Sequence, residues 1–207
     1  MGGVPLVTQL LIYDGSGDPT PLQTPRSKES EAYDFIYKEL QEIKNEFSET
    51  GNSRTRGNKF AALALQSRSM LYAASIAKYN NLMSSPISTI GADKANDYYQ
   101  KSLAASREII ESGNFELSTN FYNLFVDKTL KEVIFAKDFM SAAEKQHAFT
   151  YDNIARSFSS SASGSSISPS LSFVECFDYL DGSKGTLKDK DANGNYIAYA
   201  NLQDIFA

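Results

Sequence analysis

Apolar residues recur at spacings of three and four along three stretches of this chain, which predicts three helices that each bury a face. The first begins near Ser27, an N-cap type of residue, with Glu29 and Glu31 in the first turn where the helix dipole favours anions. Ala32, Ile36, Leu40, Ile43 and Phe47 then draw one apolar stripe, Lys38 and Glu42 can pair on the outer face, and Gly51-Asn52-Ser53 ends the helix. The second runs from Asn58 or Lys59 to Tyr79. Phe60, Leu63, Ala64, Leu71 and Ala74 lie on one side, and Ala61, Ala62, Ala73 and Ala77 supply small contact points. A helix apolar over more than half its circumference is expected to pack on two sides. The third spans Lys94 to Ser112, carries Tyr98, Tyr99, Leu103, Ser106, Ile109 and Ile110, and stops at Gly113. A short connection between the first two suits an antiparallel hairpin.

Outside these stretches the periodicity fails. Residues 1–26 are expected to be extended, punctuated by Pro5, Pro19, Pro21 and Pro25, with a turn at Asp14-Gly15-Ser16-Gly17. Beyond Gly113, Tyr122-Asn-Leu-Phe125 suggests a short helix or turn, and Glu132-Val-Ile-Phe-Ala136 a short strand. Arg156 to Ser170 is a serine-rich surface loop, and Leu171 to Leu180 reads as one short helix. Asp189 to Tyr196 is a polar turn ahead of an alternating segment from Tyr196 to Ala200. The expected fold is mostly α within a single domain over 1–207. Helix hairpins form a scaffold over 27–113, and 114–207 is loop-rich with a few short strands.

Composition narrows the function classes. Lys and Arg together (20) are fewer than Asp and Glu (25), which leaves a net charge of −5 and argues against nucleic acid, whose binding needs a basic face. Cys176 is the only cysteine, so no intramolecular disulfide forms. No stretch reaches the ~20 apolar residues of a membrane-spanning helix. Met1-Gly-Gly-Val-Pro5 lacks the apolar region of a signal peptide and resembles mid-protein sequence, so the chain is expected to be a piece of a longer protein.

The residues that carry chemistry are few. Arg68 lies in an apolar helical pattern with Arg56 at the helix mouth, and a buried arginine has to be paired; both are expected to clamp neighbouring helices or loops. His147 is the sole histidine and has no neighbours at metal-ligand spacing, so no metal or cofactor is expected. Cys176, in Phe173-Val-Glu-Cys-Phe177, has no nucleophile signature around it and suits a packed apolar face. Asp189-Lys-Asp191-Ala-Asn193-Gly194 opens like a calcium loop, but the twelfth position is Ala200 where a bidentate Glu is needed; Asn193-Gly194 suits a hairpin turn better. Glu132, Asp138, Glu144 and Asp152 show no spacing that implies a catalytic carboxylate pair, and a solvated surface is the default. Tyr79-Asn80-Asn81 and the set Tyr151, Asn153 and Phe158 combine aromatic rings with amides. Those are the groups a sugar site uses, a ring for the apolar sugar face and an amide for hydroxyls. No catalytic motif stands out, and the chain is not expected to be an enzyme.

Six pieces, in order, resemble the central part of the SusD/RagB family of outer-membrane nutrient-binding lipoproteins. They are Gly2-Gly3-Val4-Pro5-Leu6; Arg26 with Glu31-Ala-Tyr33-Asp-Phe-Ile36 and Glu39-Leu40; Arg56 through Tyr72; Tyr99 through Ile110 with Ser112-Gly113; Tyr122-Asn-Leu-Phe125 with Glu132-Val-Ile-Phe-Ala136; and Pro169 through Asp178 with Asp181-Gly182. The resemblance implies a tetratricopeptide-like α-α superhelix with long irregular loops. It implies a protein held at the cell surface by a lipidated N-terminal cysteine, which this chain lacks together with the family's first helices and C-terminal third. It further implies a partner, a TonB-dependent barrel transporter (SusC-like), to which glycans or peptides are handed. Arg56, Ala62, Arg68 and Tyr72 take scaffold roles by that resemblance, and no binding residue is carried over. A generic tetratricopeptide-like adaptor that binds a protein partner is the alternative.

Overall fold

A computed structural model of the chain describes residues 3–15, 17–47, 53–83, 85–139, 146–154, 158, 166–186, 190 and 193–196. Its α-helical segments are α1 (Glu29–Ile43), α2 (Lys59–Lys78), α3 (Ala95–Glu111), α4 (Asn123–Val126), α5 (Phe149–Asn153) and α6 (Leu171–Val174). Single 3₁₀ turns cover Thr20–Leu22, Asn80–Leu82 and Ala92–Lys94. The only β pairing among the described residues is an isolated antiparallel bridge between Lys190 and Tyr196. The fold is mostly helical with long irregular segments, as the periodicity predicts.

Local chemistry fixes where the helices begin and end. At the start of α2 the Asn58 side chain accepts the Ala61 N–H at 2.8 Å, which satisfies one of the donors that a helix start leaves open. At the start of α1 the Lys28 N–H donates to the Glu31 carboxylate at 2.9 Å. Ser27 is therefore not the cap, and its own N–H donates to the Val4 carbonyl. α1 also ends earlier than expected, at Ile43, and its last turn closes through Lys44 N–H to the Leu40 carbonyl. α3 stops as predicted at Gly113, whose φ of +68° is a left-handed conformation that suits glycine.

α2 runs antiparallel to both α1 and α3. Tyr33, Met70, Ala73, Ala74, Ala77, Ile90 and Tyr98 form one core cluster, and Phe60, Leu63, Ala105 and Ile109 a second. The three alanines expose no surface, which lets the Tyr33 and Tyr98 rings close against the α2 backbone from either side. Serines join α2 to α3: Ser67 Oγ lies 2.7 Å from Ser106 Oγ, and Ser102 Oγ donates to the Ser67 carbonyl at 2.8 Å. Two carboxylates tie the helices at opposite ends. Asp34 accepts from Tyr98 Oη at 2.8 Å and from Lys94 at 3.1 Å. Glu108 takes Lys44 at 2.9 Å and Lys59 at 3.4 Å.

The chain divides into two compact units, Met1–Asp138 and Phe139–Ala207, so residues 114–138 belong with the three helices. The segment 132–136 is a run of turns and bends, not the predicted strand. Its backbone bonds to a loop instead, since the Ala136 N–H donates to the Arg54 carbonyl at 2.9 Å. Ile134 packs on the second core cluster beside Phe115. In the second unit α6 is shorter than predicted, ending at Val174, and the Phe173 and Phe177 rings meet edge to face with centroids 5.3 Å apart. Asn193 and Gly194 (φ +83°) turn the chain between the bridged Lys190 and Tyr196, in keeping with the hairpin reading. Several expectations fall outside the described residues: Gly2, Gly51-Asn52, Glu144, the serine-rich loop except Phe158 and its end from Ser166, Asp189 and Asp191, and the segment from Ile197 to Ala200.

Candidate functional site

Asn58 sets the phase of α2, and that phase decides which side chains reach solvent. With α1 and α3 against its inner faces, α2 turns Leu65 and Arg68 outward, with Ala61 and Ala64 half-buried beside them. Beyond them the end of α1 supplies Leu40, Ile43 and Phe47, and the bend at 133–135 supplies Val133, Ile134 and Phe135. Together they wall a groove of about 620 Å³, in the size range of small-ligand sites. The walls are apolar, and Arg68 and Glu132 are the charged residues on them. Glu132 is engaged by the Ser118 N–H at 2.6 Å, whereas Arg68 makes no hydrogen bond or ion pair with any described residue.

A smaller cleft of about 230 Å³ opens next to it, lined by Arg54, Asn58, Asn114, Phe115 and Thr129 to Ile134. The Arg54 guanidinium donates to the Lys128 carbonyl at 2.8 Å and to Asp138 at 3.3 Å. It fastens the 128–138 segment to the approach of α2. Nearby, Asp127 accepts the Thr129 hydroxyl at 2.6 Å and its N–H at 2.8 Å; these bonds, with Arg54 adding a weaker pull, hold that carboxyl below the usual aspartate range.

These positions correct the scaffold roles. Arg68, expected to be buried and paired, is exposed, because it sits opposite the face of α2 that carries Met70 and Ala73. Arg56 is exposed as well and caps no helix; its N–H closes a turn onto the Ser53 carbonyl. The helix-to-loop clamp belongs to Arg54. Ala62 is buried where a scaffold residue should be, while Tyr72 keeps 60% of its surface exposed. Nothing in the spacing Arg54-Thr-Arg56 distinguishes the clamp from its neighbour, since both flank the helix start.

The residues expected to touch ligand lie at solvent in both units. Tyr79 caps α2, half exposed, with Lys78 Nζ 5.5 Å from its ring centroid, and Asn80 and Asn81 form the following 3₁₀ turn. Tyr151 and Asn153 lie on α5 in the second unit, and Asn153 Nδ2 is spent on the Phe149 carbonyl at 2.8 Å. Phe158 is exposed. Asn153 is thus an end-of-helix anchor, whereas Tyr79 and Asn81 face water.

His147 Nδ1 accepts the Phe149 N–H at 3.1 Å, and the imidazole packs edge-on against Phe139 with centroids 4.8 Å apart. Cys176 is exposed, not part of a packed face, and its thiol donates to the Ser172 carbonyl at 3.2 Å. Asp138 is engaged by Arg54 and Lys128, and Asp152 by the Ser166 hydroxyl. Among the described residues no three His, Cys, Asp or Glu side chains gather in one place. Among the described residues the arrangement offers an apolar groove with Arg68 unpaired on its wall, and exposed aromatic and amide groups at the end of α2.

Comparison with known proteins finds no matching family model, no matching curated protein and no matching solved structure.

Proposed function

We propose that this chain is part of a non-catalytic, cell-surface nutrient-binding protein of the SusD/RagB type. It captures oligosaccharides or peptides at an outer membrane and passes them to a TonB-dependent barrel transporter. The observation that carries the reading is that several of the pieces behind the resemblance meet within the first unit. Arg26 Nε donates to the Gly3 carbonyl at 2.7 Å, so the Gly-Val-Pro piece is pinned to the approach of α1. Ile134 and Phe115 pack on Phe60 at the start of α2. Pieces far apart in sequence thereby share one scaffold.

Capture of this kind needs no bond-breaking. A ring such as Tyr79 covers an apolar sugar face while Asn81 and its neighbours bond hydroxyls, and specificity comes from the loops. The exposed face of α2 speaks for the second reading, an adaptor for a protein partner, because adaptors present unpaired helix faces.

Calorimetry with the full-length protein and a panel of oligosaccharides and peptides separates the two, with product analysis run alongside. Saturable binding without products is expected, and Tyr79→Ala should weaken it by about 0.5–1.5 kcal/mol if the ring stacks on ligand. Turnover of any oligosaccharide, or binding of none of the panel, would overturn the proposal.

A further inference from the structure

The outward face of α2 has a regular pattern. Ala61, Leu65, Arg68, Tyr72, Ser75 and Tyr79 follow one another at spacings of four, three, four, three and four. That is the repeat of a helix that meets another helix along its whole length, here over about 27 Å at 1.5 Å per residue. α1 and α3 occupy the other faces of α2, and no described helix covers this one: Leu65, Tyr72 and Tyr79 each expose about half their surface or more. Arg68 stands in the middle of the stripe with no partner among the described residues.

We propose that the occupant of this face is α2 of a second copy of the chain, packed antiparallel about a two-fold axis near residue 70. The stripe is symmetric about that point. Turned end for end, it sets Ala61 opposite Tyr79, Leu65 opposite Ser75, and Arg68 opposite Tyr72. A two-fold interface requires this reciprocity, because every contact is made twice.

Two of the three facing pairs are complementary in shape or charge, and the Ser75 hydroxyl opposite Leu65 is already satisfied by the Leu71 carbonyl at 2.9 Å. The smallest residue of the stripe meets a large one, and the groove beside Ala61, walled by Leu40, Ile43 and Phe47, leaves room for the partner's Tyr79 ring. The unpaired guanidinium of Arg68 meets the face of Tyr72, where the ring's quadrupole attracts a cation. A parallel pairing instead sets Arg68 against Arg68 and Tyr79 against Tyr79, with like charges opposed and the large residues colliding. The antiparallel register therefore also excludes the alternative. The surface is argued from α2 alone and does not need the nutrient-binding reading, but Tyr79 is common to both, so a ligand stacked on that ring would compete with the second copy.

Sedimentation velocity of the chain over roughly a hundredfold range of concentration should show a monomer–dimer equilibrium. Arg68→Glu should weaken it about tenfold or more, since two cation–π contacts are lost at once. Position 68 is exposed, so the variant should keep its helical circular dichroism.

Register is read by cysteine cross-linking in a Cys176→Ser background. A mixture of the Leu65→Cys and Ser75→Cys chains should give a disulfide-linked dimer on oxidation, while neither chain does so alone. A monomer throughout the concentration range would overturn the proposal. So would self-cross-linking of Leu65→Cys, or an equilibrium indifferent to the sign of the charge at position 68.

Discussion

Gly3 holds a backbone conformation that few other residues accept. Its φ is +68°, and a Cβ built there would lie 2.0 Å from Ile87 Cγ2 and 2.9 Å from the Ser27 carbonyl. Replacing it with alanine adds strain and displaces Ile87, so Gly3→Ala should cost about 1–3 kcal/mol, read as a lower thermal midpoint. At Tyr98, burial first and the Asp34 carboxylate second push the phenol above its ordinary value of 10. A raised folded-state value means that the neutral phenol's contribution is complete below about pH 10 and is lost as the pH climbs toward the folded value. Urea midpoints should therefore fall on the alkaline side, and Tyr98→Phe should flatten that limb. The sequence disclosed some of this scale and hid the rest. Asn58 reads as a helix start because an amide before a run of alanines is a cap. Arg68 misled, because both faces of α2 are apolar and periodicity alone does not say which one is covered. Arg54 escaped notice because its partners, Lys128 and Asp138, lie more than seventy residues away.

At the scale of elements, α2 does most of the packing. Leu63 exposes none of its surface, and truncation leaves a cavity that the fixed helices cannot fill, so Leu63→Ala should destabilise by about 2–5 kcal/mol in chemical unfolding. Glu108 joins all three helices through Lys44 and Lys59. The hydrogen bond from Lys44 is the largest influence on its carboxyl and, with Lys59, outweighs desolvation, holding it below the ordinary 4.5. A depressed value gives stability that is present above pH 4.5 and lost as the pH falls through the folded value. Glu108→Gln should lower stability at neutral pH and remove that part of the acid limb. The three long helices were legible because each repeats its apolar residues at helical spacing over four or five turns. The strand expected at Glu132–Ala136 was not a strand, since β-type residues pair only when a second strand is beside them. Here the neighbours are the Arg54 loop and the Phe60 cluster. α1 stopped short of Phe47, whose ring turns instead toward the groove.

For the whole molecule, the helical scaffold of the first unit was readable from periodicity, and the candidate site was not. A groove is made by the distance between elements, and no spacing within one element encodes it. The unit boundary at Asp138 is of the same kind, because residues 114–138 join the helices through single contacts such as Ala136 to Arg54 and Ile134 to the Phe60 cluster. The nutrient-capture reading lives at this scale too, resting on how the Gly3, Arg26, Phe60 and Ile134 pieces assemble. It is tested most directly by purifying the tagged full-length protein from detergent-solubilised envelopes and identifying what comes with it by mass spectrometry. The account predicts a large barrel transporter in near-equal amount. A protein recovered with a soluble partner and no barrel would contradict it.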